Sequence, residues 1–464
     1  MKNKAWSGRF RAGTNRRFEQ FSESISYDQR LALYELRASL AHVEMLARQK
    51  VILRKDAARI IRGLKQIQRE IREGEFVFRP ELEDVHMNIE SRLFELVGKV
   101  AGKLHIGRSR NDLVAADERL WLKDAVQAVL SRLKSLVAAV VDQAGENLEL
   151  VMPGFTHTRQ AQPVLFSHWL LAYAEMFLRD RDRFAAVLSR ADLCPLGSGA
   201  LAGSNFPLDR DFLAKKLGFA GITRNSLDAV SDRDFIIEFL SASAMLMMHL
   251  SRLCEELVWF SGEGFGFIEL PESLCTGSSI MPNKKNPDAA ELIRGKSARV
   301  FGHLLALLTL MKGTPLAYNR DFQEDKQAWF DASDTTLACL EIAVLLVSGI
   351  KPVPEKMAGA CEQGFMLATD LADYLVKKGL GFRQAHHAVG GLVRFCEDRG
   401  KKFSELTLPE FKKASALFEK DVFRLLSVRH SVAAKKLPGG TAPGQVKKQL
   451  KRLKDMLKKW EQLG

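Results

Sequence analysis

Between Leu113 and Val140 the apolar positions fall into a helical rhythm. Leu122, Val126, Val129, Leu133, Leu136 and Val140 step by 4, 3, 4, 3 and 4, so all six share one helix face. Asn111 and Asp112 stand just before this run as N-cap residues. Pro163 is placed to open a second helix, with no further Gly or Pro until Pro195. A third is expected from about Asp232 to Ser261. It carries Asp232, Asp234 and Glu238 in its first turns, where acids suit the helix dipole. A fourth opens at Asn286-Pro287-Asp288 (cap, proline, acid) and continues to Met311, and a fifth spans roughly Glu324 to Val347.

These five candidates have lengths of about 25–38 residues, against a usual mean of about 11–12. Helices this long with wide apolar faces belong in a bundle, and in an oligomer. Strand patterns are scarce, and neither a strand–turn–helix unit nor an internal repeat is found. After about residue 360 the chain turns to shorter helices with loops, a Pro/Gly turn at Leu437–Pro443, and a lysine-rich end. The pattern predicts an all-α chain in three parts. Residues 1–112 form an N-terminal helical domain, 113–360 a central long-helix domain, and 361–464 a small helical domain with a basic amphipathic tail.

Composition adds little to this. The 464 residues are 46% hydrophobic and 27% charged, as in ordinary globular proteins. Six cysteines at 194, 254, 275, 339, 361 and 396 show no CxxC or Cys/His ligand spacing, so reduced thiols in a cytoplasmic protein are expected, with no metal. MKNKAWSGRF lacks an apolar core, so no signal peptide is expected, and no apolar stretch reads as a membrane span. The net charge of +13 is the unusual number.

Four segments carry polar groups that helix packing alone would not require. In GRSRND, Gly107–Asp112, Arg108 and Arg110 precede a helix start and can grip carboxylates with two parallel hydrogen bonds. In THTRQAQP, Thr156–Pro163, His157 lies in a turn between two long helices and can act as an acid or base near neutral pH. GSSIMPNKKNPD, Gly277–Asp288, packs a Gly-Ser-Ser turn, two lysines and a helix start together. Lys284, Lys285 and the helix N-terminus supply positive potential beside Ser278, which can then serve as a base without a Ser-His-Asp triad. Glu291 follows one turn into that helix, positioned to orient a histidine. YNRDFQEDK, Tyr318–Lys326, offers a phenol, an amide and both signs of charge, as a zwitterionic substrate would need. The glycines at 197, 199 and 203 lack a preceding strand, so no dinucleotide site is expected.

Together these segments resemble the fumarase/aspartase superfamily and, within it, the argininosuccinate lyase branch. GSSxMPxKxNP marks the superfamily. GRSRND, SLDAVSDRDFIIEF, YNRDFQEDK, PLGSGALAG and LATDLADYLVKKGLGFRQAH match the branch, and the similarity runs from about Trp6 to Pro443. The resemblance implies a three-domain all-α fold whose five long helices form the core of a homotetramer, a 20-helix bundle, with each active site shared by three subunits. It implies cofactor-free, reversible β-elimination of L-argininosuccinate to L-arginine and fumarate through an aci-carboxylate carbanion. Ser278 and His157 would be the acid/base pair, with Glu291 on the histidine. Ser24, Arg110, Asn111, Thr156, Lys284, Asn286, Tyr318, Gln323 and Lys326 would contact substrate. The sequence departs from the common pattern at Phe155, Thr158, Arg159, Gln160, Asn283 and Met87, none of which removes a catalytic group.

Counted by segment, the charge loses its hint of a polyanionic partner. Residues 431–464 hold nine Lys/Arg against Asp455 and Glu461, or +7, which leaves +6 for the rest. Val446, Leu450, Leu453, Leu457 and Trp460 are spaced as the apolar face of a docked helix. No nucleic-acid motif and no membrane partner is expected.

Overall fold

The computed structural model describes residues 14–461, so Trp6 lies outside the described residues. The five long helices are α1 (Arg110–Glu146), α2 (Phe166–Ala191), α3 (Asp234–Ser261), α4 (Asp288–Met311) and α5 (Asp325–Ser348). Their lengths are 37, 26, 28, 24 and 24 residues, and the all-α expectation holds.

The chain separates into two compact units, and both boundaries run through the long helices. One unit takes residues up to Leu130, Asp182–Met245 and Ala298–Leu337; the other takes Ser131–Arg181, Leu246–Ser297 and the chain from Ala338 onward. In the first, helices Ala32–Arg48, Arg54–Arg72 and Val85–Val97 close a core with the start of α1 around Leu36, Leu46, Ile60, Leu64, Leu93 and Leu113. In the second, residues 371–422 hold a core of their own, built on Leu371, Leu375, Leu392, Phe411 and Phe418. The three-part division at 112 and 360 follows chain order and remains a proposal.

Pro163 does not open a helix. Val151–Thr156 (β1) and Arg159–Leu165 (β2) form an antiparallel hairpin, with Pro153 opposite Pro163, and α2 begins only at Phe166. A two-stranded ribbon has only edges, so each proline can leave its missing N–H side unpaired. Short parallel and antiparallel bridges also join Leu193–Cys194 to Gly221–Ile222 and Ile268–Glu269 to Lys351–Pro352.

Among the described residues one helix is long and apolar enough, by length and composition alone, to cross a membrane. It is α3, with a mean hydropathy of 1.3 and 56% of its most apolar window buried. Phe239, Leu246, Leu250 and Leu257 are buried there, as in the core helix of a folded domain. All six cysteines are free, and five of them are buried. The lysine-rich end forms a helix over Pro443–Glu461 that buries Val446, Leu450 and Leu453. Arg452 pairs with Glu175, and Arg181 lies over the Trp460 ring at 5.3 Å. Lys448, Lys451, Lys454, Lys458 and Lys459 face outward.

Candidate active site

The residues singled out above divide between the two units. Ser24, Arg110, Asn111, Tyr318, Gln323 and Lys326 belong to the first; Thr156, His157, Ser278, Lys284, Asn286 and Glu291 belong to the second.

In the first unit the start of α1 is pinned by Asp112. Helix α1 begins at Arg110, so Asp112 lies inside the first turn instead of capping it. Its carboxylate accepts from Ser109 N at 3.0 Å, Gly197 N at 3.0 Å and Gly199 N at 2.9 Å. Burial pushes its pKa up to about 6 despite those three bonds. Gly199 has φ +61, and a Cβ there would stand 2.6 Å from Gly203 O, so the GSG turn needs glycine. Asn111 Nδ2 donates to Ala200 O at 3.0 Å and Arg110 pairs with Asp84 at 2.9 Å. GRSRND and PLGSGALAG therefore form one built corner.

Ser24 is buried and donates to Asp28 Oδ2 at 2.6 Å. Burial first, then the nearby Asp84 charge, raises the Asp28 pKa to about 7, against the Ser24 hydrogen bond. Gln323 Nε2 donates to Ser22 O at 3.0 Å, and Arg320 reaches Ser22 O at 2.7 Å and Glu83 at 2.9 Å. Tyr318 packs edge-on against Phe322, and burial raises its phenol pKa. Lys326 is buried, with its ammonium on Glu118 Oε1 at 2.8 Å, Asp325 Oδ1 at 2.9 Å and Phe322 O at 3.2 Å. Asp325 Oδ1 and Phe322 O accept hydrogen bonds from it, and Glu118 is held as an ion-pair partner.

The charges behind Lys326 were not anticipated. Residues 112–122 are buried without interruption, and Asp117, Glu118 and Arg119 lie within them. Three adjacent charges inside LVAADERLWL were the available signal. Both oxygens of Asp117 lack a hydrogen-bond partner among the described residues, and burial raises its pKa well above the usual carboxyl range. An acid with a raised folded-state pKa contributes stability that is full below the unfolded pKa and is lost as pH rises. Asp117→Asn removes that loss. Its unfolding midpoint relative to wild type should climb between pH 5 and pH 8, by at most about 1.4 kcal/mol per pH unit. A flat difference across that range would contradict the assignment.

In the second unit, His157 stands at the tip of the hairpin. His157 and Thr158 have φ 52° and 59°, the left-handed pair of a type I′ turn without its usual Asn-Gly. Such positions cost roughly 1–3 kcal/mol each and cluster at functional sites. Thr156 pairs with Arg159 across the tip, and all four tip residues are exposed. Phe155 anchors the strand, with its ring 5.6 Å from Phe265 and 6.2 Å from Phe260. Phe155→Ala should loosen the hairpin, costing about 2 kcal/mol, and, if His157 is catalytic, lower kcat about tenfold by misplacing it. Parallel thermal unfolding and steady-state kinetics would check both.

The serine loop is an excursion closed by one bridge. Thr276 N donates to Asn286 O at 3.2 Å and Asn286 N to Thr276 O at 2.7 Å, which isolates residues 277–285 at the start of α4. Ser278 Oγ accepts from Ile280 N at 3.3 Å and Met281 N at 3.1 Å. Two N–H donors on one hydroxyl oxygen favour its anionic form. Lys284 is exposed, and Lys285 lies 3.7 Å from Glu272. Ile280 stands 82% exposed at the loop's crest. Glu291 is exposed, and its ion pair is with Arg294 at 3.9 Å. His157 has no hydrogen-bond partner among the described residues, so the chain by itself does not join His157 to Glu291.

A raised serine loop with two lysines beside a helix N-terminus can stabilise negative charge that develops on a bound group. A lyase family model matches residues 8–302, and an argininosuccinate lyase C-terminal model matches 365–433. The argininosuccinate lyase of Symbiobacterium thermophilum is 52% identical over 447 residues, covering 96% of this chain and 97% of that one. That of Paraburkholderia phymatum is 53% identical over 450 residues, covering 96% of each. Among solved structures, an EDDS lyase variant with bound fumarate superposes with a TM-score of 0.85 at 28% identity, covering 98% of this chain and 92% of that one. A class II fumarase from Schistosoma mansoni shares the fold alone, with a TM-score of 0.74 at 17% identity over 87% of this chain and 91% of that one. With near-complete coverage at about half identity, and with both family models matched in order along it, the chain belongs to the argininosuccinate lyase family.

Proposed function

We propose that the protein catalyses the reversible β-elimination of L-argininosuccinate to L-arginine and fumarate, as the last step of arginine biosynthesis. The observation that carries this reading is the Ser278 loop. Its hydroxyl oxygen accepts two backbone N–H groups next to two lysines and the N-terminus of α4. Ser278, having given its own proton to solvent, takes the Cβ proton as an alkoxide and returns to the hydroxyl, and the resulting aci-carboxylate is held by fixed cations and helix-terminal N–H groups. His157 protonates the departing guanidinium nitrogen, with Glu291 orienting the ring. Ser24, Arg110, Asn111, Thr156, Lys284, Asn286, Tyr318, Gln323 and Lys326 bind the substrate's carboxylates and its guanidinium. The bound fumarate of the EDDS lyase relative supports the product half of this assignment.

The functional unit in this reading is a cytoplasmic homotetramer with sites shared between subunits. Two observations support it. Within one chain Glu291 pairs with Arg294 and not with His157, and α4 exposes Phe301, Leu305 and Leu308 on one face, with Leu305 at 66%. Purified protein incubated with argininosuccinate should release fumarate, followed by its ultraviolet absorbance. A folded tetramer that releases none would overturn the proposal.

A further inference from the structure

Lys326 sits in a square of alternating charge. Glu118 lies 3.2 Å from Arg233 Nε and 2.8 Å from Lys326 Nζ; Asp325 lies 2.5 Å from Arg233 Nε and 2.9 Å from Lys326 Nζ. The side chains of Glu118, Arg233 and Asp325 are 0% exposed, whereas Lys326 keeps 5%. Arg233 also stacks on Phe322 at 4.9 Å and donates to Asp232 O at 2.9 Å. Dehydrating four charges is unfavourable, and an apolar core of equal volume would often be as stable. A stability role alone therefore explains the square poorly. Its geometry fixes one atom, the Lys326 nitrogen, from two sides. Of the contacts to that nitrogen, Phe322 O is the longest at 3.2 Å and the neutral one. A substrate carboxylate would replace that one.

We propose that Glu118 and Arg233 are positioning residues that hold the Lys326 ammonium where it meets a substrate carboxylate. Arg233 fixes the two carboxylates, and the carboxylates fix the lysine. The inference rests on the reading of Lys326 as a substrate contact.

The experiment is a double-mutant cycle on the tetramer, with KM and kcat measured for Glu118→Gln, Lys326→Met and both together. Lys326→Met should raise KM by about 30-fold, Glu118→Gln by about tenfold with kcat within about threefold of wild type, and the double variant no more than Lys326→Met alone. If Glu118→Gln folds poorly, the charge-balanced Glu118→Leu/Arg233→Met pair replaces it and should show the same rise in KM. An unchanged KM in a folded Glu118 variant, or fully additive effects in the double, overturns the positioning role while Lys326 stands. An unchanged KM in Lys326→Met removes the substrate contact itself, and the inference with it.

Discussion

Replacing Ser278 by alanine should lower kcat about a thousandfold, the scale expected when a positioned proton-transfer group is lost. The substitution removes one oxygen from an exposed loop, so the fold should not change. The Thr276–Asn286 bridge and the start of α4 use backbone groups that alanine retains. Substrate affinity should therefore stay near that of the wild type, because alanine leaves Lys284 and the other proposed binding cations in place. Calorimetric titration with argininosuccinate would measure affinity without turnover. Near-normal kcat in this variant would mean that another group takes the Cβ proton, with His157 first in line.

The second large effect concerns stability. Arg233→Met leaves Glu118 and Asp325 facing each other with only Lys326 between them, in a site closed to water. Breaking a buried charge set by removing one partner typically costs about 3–5 kcal/mol. The loss should appear as a lower denaturant midpoint, measured at fixed protomer concentration because assembly contributes to stability. Glu118→Leu together with Arg233→Met restores the balance of charge and should recover much of that loss. If Arg233→Met alone unfolds like wild type, the square is not closed to water as the structure has it.

The long helices were legible because apolar spacing repeats over many turns, and all five are found within a few residues of where that spacing puts them. The hairpin was not. Its strands are short, and a proline before an apolar run reads equally well as a helix opener or an edge-strand residue. Its turn carries His157-Thr158 where Asn-Gly would have announced it. For the site, Ser278, Arg110 and the residues around Lys326 stood out because they interrupt helical patterning. Their partners did not. Glu118 and Asp28 sit on helices and Arg233 just before α3, where charges at helix starts and among helical residues look like ordinary solvated groups. Only packing reveals that the face they occupy is buried.

Cys275 immediately precedes the Thr276 end of the bridge that closes the serine loop. It is half-buried, while the other five thiols are buried and, like it, have pKa values raised by burial, Cys194 and Cys254 to about 12. A thiol-directed fluorophore would thus attach first beside the loop hinge. The unmodified sequence already carries a reporter, next to its proposed base, of whether substrate opens or shuts that loop.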